Sequence, residues 1–148
     1  ALSGVCLMSD TKAELIMQAI TTKLQTLSGI TVYRSRAEAL SRRQAPALVI
    51  TQGTNTPGPD PISSCRIDWE LEVQLEFYAR GDVPDRQASP FIAAAHVLLM
   101  ADTLLGGLSI NIWPGAQQPQ IDPADATALW MVCPYMVRHR TNQADLST

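Results

Sequence analysis

Two histidines, three widely spaced cysteines and 5% aromatics leave this 148-residue chain short of the side chains that most often carry chemistry. His96 stands in an alanine-rich stretch and His139 between Arg138 and Arg140. An acid/base histidine needs an orienting partner and a nucleophile. The sequence assigns neither, so structural or surface roles are the simpler reading of both. Cys6, Cys65 and Cys133 are odd in number, with no CxxC and no metal-finger spacing. Cys65 and Cys133 fall in expected strands, which predicts buried free thiols and a reducing compartment. No GxSxG elbow and no glycine-rich phosphate loop occurs. No apolar run approaches the ~20 residues of a transmembrane helix, so no membrane role is expected. A formal charge of −3 gives no general drive toward nucleic acid or anionic lipid. No catalytic residue and no cofactor is expected.

What is present is a long, regular alternation. In Cys65 to Arg80, Ile67, Trp69, Leu71, Val73, Leu75 and Phe77 alternate with Arg66, Asp68, Glu70, Glu72, Gln74 and Glu76. Period two over that length predicts a β-strand with one buried and one wet face. At about 3.3 Å per residue it spans roughly 45 Å, more than twice a common strand. It must bend, carry a bulge or project beyond its sheet, and a projecting arm invites another subunit to pair with it.

The other elements group around this strand. Apolar residues make up 46% and charged residues 17%, a globular balance for one domain with a real core. Residues 1–8 read as a non-native or disordered extension, with a natural start near Met8. Leu15, Ile16, Ala19, Ile20, Leu24 and Leu27 recur at helical spacing and predict a helix over 9–28, capped by Ser9 or Asp10 and ended by Ser28-Gly29. A short strand from Ile30 to Tyr33, a basic connector from Arg34 to Arg43, and a doubly buried strand from Ala47 to Thr51 follow. Residues 53–64 (GTNTPGPDPISS) read as a long mobile loop. After the long strand and a turn at 81–85, Phe91, Ile92, Ala95, Leu98, Leu99 and Leu105 predict a helix over 88–105, with Pro90 in its first turn. Leu108 to Trp113 is a short strand and 114–125 a second long loop. Ala128 to Thr141 is a central strand in which Pro134 predicts a bulge or local edge. Residues 143–148 read as a flexible tail. The order α-β-β-β-α-β-β predicts an α+β fold: an antiparallel or mixed sheet with two helices on one face.

Three charge groupings remain. Asp82 with Asp85, and Asp122 with Asp125, could offer oxygens to a hard cation. Capping and turn formation explain both more simply, so no metal is expected. Glu70, Glu72 and Glu76 form an acidic stripe on the wet face of the long strand. Such a stripe is often just a solvated face. Like charges this close cost stability in an isolated sheet, and basic residues of a neighbour would relieve them. Arg34, Arg36, Arg42 and Arg43 are candidates for that complement. The same arginines make a poor nucleic-acid patch, lacking interleaved aromatics.

The chain resembles the minor tail protein U family, the tail terminators of lambda-like long-tailed phages. The likeness rests on the W-x-L-x-V-x-L alternation from Trp69, the Val83-Pro84-Asp85 turn, and a last strand with Leu129-Trp130 and Tyr135-x-Val137. It covers roughly residues 9–141. The resemblance implies a non-enzymatic α+β subunit that forms a hexameric ring in the virion tail, assembled in the host bacterial cytoplasm. The ring would cap the tail tube protein, stop its polymerisation and present the surface for the head-completion or connector protein. DNA would pass through its lumen without sequence-specific binding. Thr54, Asn55, Pro57, Asp60 and Pro61 become a candidate mobile loop that contacts the tail. The alternatives are a related tail-completion or head–tail connector protein, and a small-ligand domain or enzyme with a site at loops 53–64 and 114–126.

Overall fold

The computed structural model describes residues 9–35, 44–58, 65–122 and 125–148. The first element is a helix, α1 (Lys12–Leu24). Thr11 caps it: its hydroxyl accepts from the Glu14 amide at 3.2 Å. Neither Ser9 nor Asp10 takes that role. A second free amide at this end, that of Lys12, donates to the Leu146 carbonyl at 2.8 Å, so the chain's last residues satisfy what the helix cannot. Ala13, Ile16, Met17, Ile20 and Leu24 form the buried stripe. The helix ends one turn before the expected 28, and Gly29 (φ 79°) serves the turn that follows it.

The strands are β1 (Thr31–Arg34), β2 (Ala47–Pro57), β3 (Arg66–Arg80), β4 (Asn111–Pro114), β5 (Gln118–Asp122) and β6 (Asp125–Asn142). Helix α2 (Pro84–Ala101) and a 3-10 turn at Leu105–Gly107 separate β3 from β4. The sheet runs β1-β2-β3-β6-β4, with β5 also on β6. β1 and β2 are parallel and every other pair is antiparallel. The fold is the expected α+β class with a mixed sheet. Both helices lie on one face, closing a single core over Leu48, Ile50, Leu71, Val73, Leu75, Phe77, Cys133, Tyr135 and Val137. Among the described residues no helix covers the other face.

β3 is a strand throughout, and all fifteen of its residues pair with β6. Its length is absorbed by its neighbour: β2 carries the bulge, between Gln52 and Asn55. Beyond it the sheet tapers into an arm: β4 still flanks β6 as far as Asn111 opposite Arg138, β2 ends at Pro57 opposite Trp69, and β3 and β6 continue alone to Arg66 and Asn142. The expected loop at 53–64 is therefore partly strand, since β2 continues through Pro57. Gly53, inside the bulge, lies so close to β3 that an added Cβ would sit 3.0 Å from the Glu72 carbonyl oxygen. Gly53→Ala is expected to cost about 1–3 kcal/mol, read as a lower urea midpoint. An unchanged midpoint would refute this close approach.

Other boundaries also shift. α2 starts at Pro84, so Pro84 takes the first-turn position and Pro90 stands inside the helix. The expected loop at 114–125 contains β5. β4 and β5 lie end to end along β6, and the gap between them falls at Pro134. Its carbonyl accepts from the Gly115 amide at 2.8 Å, and the N–H it lacks faces the same gap. Cys133 is buried, but Cys65 is exposed at a turn residue with φ 58°, against the expected burial of both. The sheet's outer edges are blunt. β1 is four residues long, and the opposite edge carries Pro114 and Pro119.

Candidate assembly surface

The face away from the helices is built by register. In antiparallel strands, residues directly opposite share a face. Glu70 stands between Thr56 and Arg138, Glu72 opposite Met136, Gln74 between Thr51 and Pro134, and Glu76 between Val49 and Val132. Tyr78 follows beside Ala47 and Trp130, its ring 4.8 Å from the Trp130 ring, and Arg80 ends the row with Nη1 3.5 Å from the Tyr78 hydroxyl; Ala47, Tyr78 and Ala128 are buried there. The alternation of β3 thus puts Glu70, Glu72 and Glu76 together on the face away from the helices, Glu70 exposed among polar neighbours and Glu76 half-buried beside Val49 and Val132.

The two ends of that face differ electrostatically. At the arm, Asp68 accepts from Arg140 Nε at 2.5 Å and Nη2 at 3.2 Å, and Arg138 stands 3.9 Å away. The Arg140 hydrogen bonds hold the Asp68 carboxyl below the ordinary carboxylate range. Further along, compensation stops. Glu72 accepts only from Gln74, at 3.4 Å. Glu70 and Glu76 have no hydrogen bond or ion pair among the described residues. Burial pushes the Glu76 carboxyl up from its ordinary value. A raised carboxyl pKa means that the folded chain favours the protonated form, so ionisation costs stability. Glu76→Gln is expected to raise the unfolding midpoint of the isolated monomer at pH 7. The gain should vanish as pH falls below about 4, where Glu is protonated in both states. Equal midpoints at pH 7 would contradict an uncompensated charge.

The proposed basic complement is placed only in part. Arg34 projects to the helix side and forks onto Glu14, Nη1 to Oε1 at 2.7 Å and Nη2 to Oε2 at 2.5 Å. That pairing lowers the Glu14 pKa and raises that of Arg34. The Arg34 charge is therefore paired within its own chain, on the opposite side of the sheet from the acidic stripe, with Nε left buried and unbonded. Arg36, Arg42 and Arg43 lie outside the described residues. Of the candidate loop, Thr54, Asn55 and Pro57 belong to β2, and Asp60 and Pro61 lie outside the described residues. Asp85 stands in the first turn of α2, where a negative charge suits the helix N-terminus. Asp122 and Asp125 are cross-strand partners.

Both histidines bridge elements. His96 Nδ1 lies 2.8 Å from the Tyr135 hydroxyl, tying α2 to β6. His139, 1% exposed, stands under the arm with its Nε2 3.2 Å from Asn55 Oδ1. The Asp68–Arg140 pair and this histidine were invisible to reasoning from the sequence, because each depends on a register between residues about 70 to 85 apart. On the helix side, a shallow groove of about 630 Å³ between α1 and the 3-10 turn is lined by Leu15, Ala19, Lys23, Leu105 and Leu108.

No protein-family model matches the chain, and no curated protein does. Among solved structures, it is similar to a chain in the virion of a native gene transfer agent particle. The TM-score is 0.63 at 14% identity, over 85% of this chain and 95% of that one. At that identity the likeness is one of fold.

Proposed function

We propose that this chain is a structural subunit of a phage-like virion: a tail terminator that closes into a hexameric ring on the end of the tail tube. The observation that carries the reading is the whole-length fold likeness to a chain of a gene transfer agent virion. The sheet face away from the helices, with Glu70, Glu72 and Glu76 in no ion pair among the described residues, supports it. Surfaces that keep charge and apolar area together uncompensated suit a contact with another chain. A closed ring needs two different complementary patches per subunit, and the acidic face is offered as one of them. The ring would stop addition of tube subunits, receive the head-completion protein on its other side, and let DNA through its lumen. In this reading the chain performs no catalysis. It assembles in the bacterial cytoplasm and ends in the virion tail.

The test is solution mass by light scattering over a wide concentration range, with negative-stain images of the same samples, alone and with polymerising tube protein. Six-fold rings, or tubes that stop growing with a ring at one end, are the expected result. A monomer under every condition, with unchecked tube growth, overturns the proposal.

A further inference from the structure

We infer that His139 is an acid-sensitive latch that pins the far end of β2 to β3 and β6 and so keeps the arm closed. The inference stands on the arrangement around one ring and does not depend on the assembly role. The imidazole is stacked with Trp69, interplanar angle 11° and centroids 6.4 Å apart. Trp69 donates its indole N–H to the Thr141 hydroxyl at 2.8 Å. His139 Nε2 reaches Asn55 Oδ1, on the stretch of β2 past the bulge. One histidine of β6 therefore touches both β2 and β3. With the Asn55 oxygen as acceptor, Nε2 carries the proton and Nδ1 offers a lone pair. That Nδ1 is buried and has no partner.

A proton arriving at Nδ1 would find no acceptor. The charged group that α1 brings to the site is Lys12, itself cationic, with its ammonium on the Arg140 carbonyl at 2.8 Å. β2 and β3 present Asn55 and Trp69, both uncharged. Asp68 of β3, with Arg138 and Arg140 of β6, stands on the opposite face, and the three are paired with one another. Asp145 of the last segment is bonded to Ser147. Nothing near the ring welcomes a second positive charge. Burial, reinforced by Lys12, holds the His139 pKa down to about 4. Because the folded value lies below the ordinary ~6.5, the closed arm is fully favoured above that ordinary value. The closed form loses ground as pH falls toward about 4, by up to about tenfold in the closed-to-open ratio per pH unit. Opening would release Asn55 from His139 and loosen the end of β2, through Pro57, from β3.

The experiment follows the Trp69 indole N–H resonance by NMR from pH 7.5 to 4, in wild type and in His139→Phe, which keeps a ring but cannot titrate. The wild-type signal should shift or broaden between about pH 6 and 4 in a one-proton transition, while the variant's stays constant over that range. A constant wild-type signal, or the same transition in the variant, overturns the latch. Should the variant fail to fold, the His139 ring protons of the wild type decide. Titration near 6.5 with an unmoved Trp69 signal refutes the inference, and titration displaced to acid together with that signal supports it.

Discussion

Glu72→Lys combined with Glu76→Lys is expected to leave a folded monomer that no longer forms rings. Both residues sit mid-strand on the face away from the helices, and neither has a cationic partner among the described residues. Reversing their sign inside the chain removes repulsion with Glu70 and breaks no internal ion pair. Across a subunit contact the effect is opposite, since any cation that meets the stripe would then meet lysines. Like-charge juxtaposition at an interface costs several kcal/mol, and a closed ring incurs it at each contact. Assembly should fall by orders of magnitude while circular dichroism and the unfolding midpoint stay near wild type. The paired glutamine variant separates sign from size: it removes attraction without adding repulsion and should weaken rings less. Rings formed by the lysine variant at wild-type concentrations would remove this face from the interface.

Phe77→Ala should be the most damaging single truncation. Phe77 is 1% exposed on the helix side of β3, flanked in register by Leu48 and Met131. Burying an aromatic ring in a packed core contributes transfer free energy, and its removal leaves a cavity that strands fixed on both sides cannot close. The expected loss is about 3–5 kcal/mol, a large part of the roughly 5–15 kcal/mol that a domain has. It should appear as a lower urea midpoint with little change in slope. A loss under about 1 kcal/mol would mean that the strands around it can collapse, contrary to the packing described. Assembly would fail with it, so only variants with an intact midpoint speak to the interface.

These two positions were legible for the same reason. Period two along β3 states which side chains share a face before any partner strand is known, so both the core row and the acidic row follow from the alternation. The two-helix, one-faced α+β arrangement follows likewise from helical spacing and chain order. The end of β2 was not legible. Thr54 and Pro57 read as loop because proline and small polar residues dominate there, yet pairing with Trp69 and Glu70 keeps this stretch extended. β5 was hidden for a similar cause: Gln118-Pro119-Gln120 has poor strand propensity and is a strand because β6 offers an edge. Arg34 shows the limit for charges. Its neighbours in sequence suggested a basic patch, but its partner, Glu14, lies on a helix that sequence adjacency does not bring near.

The blunt ends of the sheet govern how such subunits can be counted. A long unpaired edge adds copies one after another with no natural stopping number, which is how fibrils grow. Here one edge is the four residues of β1 followed by β2 from Thr51 to Pro57, bent by its bulge and ended by proline, and the other is interrupted by Pro114 and Pro119. Neither is a long flat edge suited to an endless ladder, so in the proposed assembly copies would meet through side chains on faces, where shape and charge fix an angle between neighbours. An angle, unlike a ladder, returns to its starting point after a set number of steps, and a particle with a definite size becomes possible.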